Sequence, residues 1–246
     1  MSHVRADGHL PISEREIVVQ QHLKLPSTQV LARHVVAGSK YPLPAMVFEA
    51  LEQTTGQGRR GKTWASPPGG SYQTIVLQDI EQRLRMGSLT LLIASFVARA
   101  LQSAFGGDVD VKWPNDLFVY GQKVGGILTE WTKGHLLVGI GVNACVASEH
   151  GGTLGLAPEQ LPEATLVVRQ AVLRATSRAW SGQGFVASDL AGIDFLAGRH
   201  IVANLFQLGS GVLRGVANGV DDSGRLLVTD VNGTEHRLLN ASIVQY

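Results

Sequence analysis

Residues 52–70, EQTTGQGRRGKTWASPPGG, form a glycine-rich and basic stretch between two apolar runs that have the composition of strands. The preceding run is AMVFEAL at 45–51, and the following run is SYQTIVLQD at 71–79. Glycine lets a backbone turn at positive φ and approach a ligand closely. Arg59, Arg60 and Lys62 add positive charge to this backbone, which favours binding of phosphate or carboxylate. The stretch predicts an anion-binding loop, and the alternative is a solvated basic linker.

Length and composition predict one large globular domain together with a small one. The chain has 246 residues, a hydrophobic content of 44% and a formal net charge of +1. So little net charge disfavours general nucleic-acid binding. A single cysteine, Cys145, excludes an internal disulfide and favours a reducing, cytoplasmic location. The polar first residues predict no signal peptide, and the most apolar run, at 89–101, is too short to span a membrane.

Hydrophobic periodicity predicts an α/β (α+β) domain over residues 1–197 and a small antiparallel barrel over residues 198–246. Helices are expected at 27–38, with Ser27 as N-cap, at 87–105 and at 162–180, with a weaker helix at 189–198. A hairpin around Gly121 lies beside strands separated by helices, which predicts a mixed central sheet with flanking helices. After residue 198, short Val- and Leu-rich runs alternate with turn signals.

Two further segments place polar groups at the ends of apolar runs. Ser27, Thr28 and Gln29 stand at a helix start, where an ordinary N-cap is the simpler interpretation. VKWPNDL, at 111–117, surrounds a Trp-Pro turn with Lys112 and Asp116, which favours a functional role over a plain hydrophilic turn. The lysine can neutralise phosphate, and the carboxylate can contact Mg²⁺ together with phosphates.

KVGGILTE, at 123–130, places Lys123 before a pair of glycines in a predicted strand. Glycine inside a strand marks close approach of a ligand or of another backbone, whereas a lysine alone would be an exposed edge residue. Gln53 can point an amide at a ligand, and Trp64 is either a wall of the site or an anchor for its loop. Known nucleotide-binding and nucleophile motifs are missing from the sequence. The residues alone therefore predict an α/β enzyme or binder of a small, phosphate-bearing anion.

In the order GQGRRGKTWASPPGG, VKWPNDL, KVGGILTE and GIGVN, these motifs resemble those of biotin protein ligases, and the resemblance extends over residues 25–243. GVANGVDDSGRLLV is similar to part of the small SH3-like barrel of that family. The resemblance implies ATP-dependent formation of biotinyl-5′-adenylate, with ATP and biotin as substrates and Mg²⁺ as cofactor. A lysine on the biotin carboxyl carrier domain of a carboxylase then accepts the biotinyl group.

The resemblance also implies three overlapping sets of site residues. Those expected to act in catalysis are Lys123, Arg59 and Lys112. Those expected to bind biotin are Ser27, Thr28, Gln29, Gln53, Gln57, Gly58, Arg59, Trp64, Lys123 and Gly126. Those expected to bind ATP are Arg59, Lys62, Lys112, Asn115, Asp116 and Asn143, with Asp116 meeting the metal through the phosphates.

Two residues depart from the family pattern, because Gln57 stands where many members have Arg and Gln29 replaces a frequent Asn. An N-terminal DNA-binding domain is not expected, so DNA is not a predicted partner, and neither is a membrane. A homodimer formed through an exposed sheet edge is compatible with the pattern. The alternatives are a lipoate or octanoate ligase or transferase of the same fold, a catalytically weakened biotin-binding homologue, and a non-enzymatic sensor or repressor.

Overall fold

A computed structural model describes residues 17–79, 82–84, 86–147, 151–206 and 211–246. Its larger sheet has eight strands: β1 (Val18–Leu25), β2 (Met46–Gln57), β3 (Thr63–Ser66), β4 (Ser71–Gln78), β5 (Asp110–Lys112), β6 (Asp116–Val119), β7 (Gln122–Thr132) and β8 (His135–Val142). The strand order is β1-β2-β4-β8-β7-β6-β5, with β3 paired to β2. Only the β1–β2 pair is parallel among these described strands, so the predicted mixed sheet is confirmed.

Helices cover both faces of this sheet. They are α1 (Thr28–Gly38), α2 (Leu89–Phe105) and α3 (Leu161–Trp180). On β4, Val76 packs in the cluster beneath α1, whereas Ile75 and Leu77 pack in the larger cluster with α2 and α3. Because both faces of the central strands are buried, the strands read as continuous apolar runs in the sequence. The start of α1 is fixed by Ser27, whose Oγ atom accepts a hydrogen bond from the Val30 amide at 3.5 Å.

The glycine-rich stretch is more regular than the sequence predicts. Strand β2 continues to Gln57 and forms a hairpin with β3, in which Gly56 pairs with Trp64. A Cβ atom on Gly56 would lie 2.4 Å from the Trp64 carbonyl oxygen. Glycine is therefore needed at this position so that the two strands can approach each other, and not for mobility. Only the end of the hairpin, residues 58–62, turns over the sheet.

The helix predicted at 189–198 is wrong. A short 3-10 turn, Ala187–Leu190, is followed by turns in which Gly192 and Gly198 adopt φ values of 74° and 75°. Asp194 forms an isolated bridge with Val111 of β5, so this segment lies along the sheet edge. The left-handed Gly192 interrupts the helical pattern that the apolar residues of the segment suggest.

The smaller sheet has five antiparallel strands: β9 (His200–Leu205), β10 (Val212–Val220), β11 (Leu226–Asp230), β12 (Glu235–Leu238) and β13 (Ala241–Gln245). Their order is β12-β11-β10-β9-β13, which confirms the predicted small antiparallel unit. The domain boundary at 197/198 stays a prediction. Trp113, in the VKWPNDL segment that the sequence favoured as functional, is buried and donates its indole N–H to the Gly224 carbonyl oxygen at 3.0 Å. This residue therefore ties the two sheets together.

Candidate active site

A cavity of about 550 Å³ lies between the larger sheet, the turn at its hairpin end and the smaller sheet. Fourteen of the fifteen predicted site residues line it: Ser27, Thr28, Gln29, Gln53, Gln57, Gly58, Arg59, Lys62, Trp64, Lys112, Asn115, Asp116, Lys123 and Gly126. The fifteenth, Asn143, is buried elsewhere and donates its side-chain amide to the Gly152 carbonyl oxygen at 2.9 Å. The ATP-binding role predicted for Asn143 therefore gains no support from this cavity.

One half of the cavity is neutral and rich in hydrogen-bonding groups. The Gln53 Oε1 atom accepts from the Thr28 amide at 2.8 Å, and the Gln53 Nε2 atom donates to the Ser66 hydroxyl at 2.8 Å. The Thr74 hydroxyl on β4 lies 2.9 Å from the Thr28 hydroxyl and donates to Gln29 Oε1 at 3.1 Å. The start of α1 thus serves both as a cap and as a wall, so the two interpretations of the Ser-Thr-Gln segment are compatible.

Two buried donors in this half have no partner within the described part of the chain. They are the Nε2 atom of Gln29 and the Nε1 atom of Trp64. Each side chain lies against a glycine of β8: a Cβ atom on Gly139 would be 2.4 Å from Gln29 Oε1, and one on Gly141 would be 2.5 Å from Trp64 Nε1. A buried donor without a partner is costly, which favours a ligand that supplies hydrogen-bond acceptors here.

The other half of the cavity is cationic, and Lys123 lies where the two halves meet. Its Nζ atom is 2.7 Å from Asp116 Oδ1 and 5.1 Å from the Trp64 ring centre. The two glycines that follow Lys123 in the chain have different roles. Gly125 is packed tightly, because a Cβ atom there would lie 3.0 Å from the Gly141 carbonyl oxygen. Gly126 lines the cavity and leaves the ion pair open to a ligand.

Lys112 and Arg59 are the more deeply placed cations. Burial lowers the pKa of Lys112 to about 8, although the carboxylate of Asp116 partly opposes this shift. Arg59 donates from Nη1 to the Asn115 Oδ1 atom at 2.8 Å, and burial also lowers the pKa of its guanidinium. The side chain of Asn115 is fixed in turn, since its Nδ2 atom donates to the Ile127 carbonyl oxygen at 3.1 Å.

The turn that carries the basic residues is a single 3-10 turn, Arg59–Gly61. Arg60 adopts left-handed backbone angles of φ 59° and ψ 36°, which are unfavourable for a residue with a side chain. Gln57, at the base of the turn, accepts a hydrogen bond at 3.0 Å from Arg33 of α1, which also pairs with Glu130 of β7. An arginine therefore stands beside Gln57, although it comes from a different segment.

Asp116 is the only carboxylate among the described residues that line the cavity. The described ranges also contain no cluster of three or more His, Cys, Asp or Glu side chains suited to a metal ion. A single carboxylate is enough for a Mg²⁺ ion that is also coordinated by substrate phosphates. It is too few for an ion coordinated by protein groups alone. No helix in the described part of the chain is long and apolar enough to cross a membrane.

Sequence reasoning missed several residues of the cavity: Thr74, Gly139, Gly141, Asn204, Phe206 and Ser242. The two glycines interrupt the apolar run LLVGIGV and could have been found as breaks in a strand. The other polar residues have no signal of this kind, because their proximity to the site depends on sheet pairing and on the contact between the two sheets. As a whole, the cavity suits an elongated ligand with neutral polar groups at one end and anionic groups at the other.

Comparison with known proteins first shows the class of protein to which the fold belongs. A model described as the Biotin/lipoate A/B protein ligase family matches residues 26–145. The fold is similar to that of the biotin protein ligase from Aquifex aeolicus in complex with biotin and ATP, with a TM-score of 0.70 and 23% identity. That match covers 93% of this chain and 99% of the other. The chain thus has the fold of this class of ligases.

Relatives of similar sequence identify the family within this class of ligases. The biotin–[acetyl-CoA-carboxylase] ligase of Paracoccus denitrificans is 31% identical over 76% of this chain and 85% of its own length. The bifunctional ligase/repressor BirA of Bacillus spizizenii is 29% identical over 90% of this chain and 76% of its own length. The chain belongs to the biotin protein ligase family, and it is a ligase enzyme.

Proposed function

We propose that this protein joins biotin to a lysine of a biotin carboxyl carrier domain by way of biotinyl-5′-adenylate. The observation that carries the proposal is the division of one cavity into a neutral half with unpartnered donors and a cationic half with Lys112, Arg59 and Lys123. Biotin has a neutral ring system at one end and a carboxylate at the other, and ATP brings the phosphates. The ring system, the carboxylate and the phosphates therefore each meet groups of complementary chemistry.

In this proposal the biotin ring system occupies the neutral half. The amides of Gln29 and Gln53 and the hydroxyls of Ser27 and Thr28 supply hydrogen bonds to it, and the Trp64 ring packs on its apolar side. Because Thr28 and Gln53 already hold each other through a 2.8 Å hydrogen bond, little ordering is required when biotin binds. Gly126 leaves space for the chain that ends in the carboxylate.

The first chemical step brings two anions together. A carboxylate oxygen of biotin attacks the α-phosphorus of ATP, the bond to the β-phosphate oxygen breaks, and pyrophosphate leaves. Lys123 turns from Asp116 towards the carboxylate and the α-phosphate, while Arg59, Lys62 and Lys112 meet the other phosphate oxygens. Fixed cations lower the repulsion between the reactants and hold them in line for attack.

Mg²⁺ would be held by the ATP phosphates together with the Asp116 carboxylate, and when bound it would neutralise part of the phosphate charge. The second step needs no nucleophile from this chain. The amine of the carrier lysine attacks the carbonyl carbon of the mixed anhydride, AMP leaves, and the amine loses a proton as the amide forms. The carrier is therefore the expected partner.

The proposal is tested by incubating the protein with ATP, Mg²⁺ and an unmodified carrier domain, in the presence of either biotin or lipoate. Intact mass spectrometry of the carrier is expected to show one biotinyl addition that depends on ATP. Lipoate serves as the competing substrate because the matched family model also covers lipoate ligases. A lipoyl addition, or an unmodified carrier under all conditions, would overturn the proposal.

A further inference from the structure

Two aromatic rings of the smaller sheet face two cations of the active site. The Arg60 guanidinium lies 3.2 Å from the ring centre of Phe206, which follows β9. The Lys112 ammonium lies 3.7 Å from the ring centre of Tyr246, which follows β13. Both distances are well within the range in which an aromatic face attracts a cation. The cations belong to the larger sheet and its turn, so both contacts cross from one sheet to the other.

The two cations differ in burial, since Lys112 is buried and Arg60 is exposed. Neither Arg60 nor Lys112 forms an ion pair with a carboxylate in the parts of the chain that the structure describes, and Asp116 is already paired with Lys123. Lys112 is only 8% exposed, so its ammonium has lost most of its contact with water. A ring face attracts such a charge without competing for it as strongly as a carboxylate would, which leaves the cation available to an anionic ligand.

The smaller sheet and its connecting segments also contact side chains of the turn. The Oδ1 atom of Asn240 lies 3.5 Å from guanidinium nitrogens of both Arg59 and Arg60. Arg60 is the residue with left-handed backbone angles, a conformation that persists only when surrounding contacts enforce it. Phe206 and Asn240 contact the Arg60 guanidinium, and Asn240 also lies beside the Arg59 guanidinium, which donates to Asn115 inside the cavity.

We propose that the smaller sheet is a positioning element of the active site, in which Phe206 and Tyr246 hold Arg60 and Lys112 by their ring faces. The inference rests on the proposed function, in which the cations of this half of the cavity meet ATP. Neither aromatic residue touches the reacting atoms. Their effect passes through the cations, so it concerns ATP and leaves the binding of biotin alone unchanged.

The test compares variants that lose a ring with variants that keep one. Tyr246→Leu and Phe206→Leu remove the ring, whereas Tyr246→Phe and Phe206→Tyr retain it. Calorimetry with MgATP alone and with biotin alone is combined with the KM for ATP and the kcat of biotin-dependent pyrophosphate release. We expect the leucine variants to lose roughly 3- to 30-fold in ATP affinity or in kcat/KM for ATP. The ring-retaining variants should stay within about twofold of the parent, and the Kd for biotin should not change in any variant.

A packing control is needed because Tyr246 also contacts Phe118 and Phe195 edge-on, with ring centres 6.0 and 5.1 Å away. Phe195→Leu weakens the same aromatic cluster without removing a ring from Lys112. It should lower the Tm and leave the KM for ATP unchanged, and Val231→Ala, on the exposed surface of the smaller sheet, should change neither.

The inference is overturned if the leucine variants retain the parent's ATP affinity and kcat/KM, if the ring-retaining variants lose as much, or if Phe195→Leu raises the KM for ATP equally. Failure of the proposed function would look different, because the parent protein itself would then release no pyrophosphate with biotin and ATP. The calorimetric comparison with MgATP alone does not depend on that reaction.

Discussion

The two halves of the cavity are built in different ways. In the neutral half, Thr28, Gln53 and Thr74 bond to one another and hold the site in shape before a ligand arrives. In the cationic half, positive side chains crowd around a single carboxylate, Asp116, and are held by ring faces and amide oxygens. We infer that the neutral half is preorganised for selective binding. The cationic half holds positive side chains in place for binding of the ATP phosphates.

Loss of Lys123 should give the largest effect, because this residue lies where the two halves meet. Lys123→Ala removes the cation placed between the two anionic reactants, and we expect biotin-dependent pyrophosphate release to fall about 100- to 1,000-fold. Biotin affinity without ATP should change far less. Unaltered pyrophosphate release in this variant would remove Lys123 from its proposed role.

Arg59→Gly tests the retention of the intermediate in the cationic half. It breaks the 2.8 Å contact with Asn115 and removes a cation from the turn, so we expect biotinyl-adenylate to escape roughly 10- to 100-fold faster. Escape is measured as biotin label on bystander proteins such as albumin. Arg225→Gly, which removes an arginine paired with Asp221 in the smaller sheet, is the matched control. Equal selectivity in the Arg59 variant and the parent would contradict this role of the turn.

Gly139→Ala tests the neutral half alone. The added methyl group would meet Gln29 Oε1 at 2.4 Å, so the amide must move, and we expect the KM for biotin to rise roughly 5- to 50-fold. The KM for ATP should remain near that of the parent. Gly38→Ala, where an added Cβ meets nothing within 4 Å, is the control. If the Gly139 variant impaired ATP and biotin equally, the division into two halves would not hold.

Arg33→Ala should give the smallest effect. Arg33 connects Gln57 to Glu130 in a partly exposed pair, for which measured energies are about 1 kcal/mol or less. We expect at most about a fivefold fall in kcat/KM, with little change in Tm. Lys24→Ala, which removes a similar surface pair with Glu52, should have no effect on activity. A loss comparable to that of Lys123→Ala would make Arg33 part of the catalytic machinery.

The sequence predicts the cavity better where chemistry is concentrated in short segments. KVGGILTE and VKWPNDL combine charges with glycine or proline inside apolar runs, and the structure places Lys123, Lys112 and Asp116 together as expected. The mixed sheet and the small antiparallel unit also follow from periodicity and turn signals. Local patterns of this kind predict the structure correctly because each depends only on the residues of its own strand or turn.

Contacts between distant segments could not be predicted in this way. Nothing near Arg33 signals that it reaches Gln57, and nothing near Phe206 or Tyr246 signals a cation on another sheet. The extension of β2 was missed because its residues are polar and its partner is the other arm of the same hairpin. These features depend on pairing and packing, for which a single sequence carries no local signal.

In the proposed function, one cavity binds biotin and ATP and joins biotin to the AMP part of ATP. Native mass spectrometry without a carrier domain tests this step most directly. The parent protein, incubated with biotin and MgATP, should retain one biotinyl-5′-adenylate, whereas Lys123→Ala should bind biotin without forming the adenylate. A parent protein that binds both substrates and forms no adenylate, or that forms mainly lipoyl-adenylate when lipoate is added in equal amount to biotin, would contradict the account.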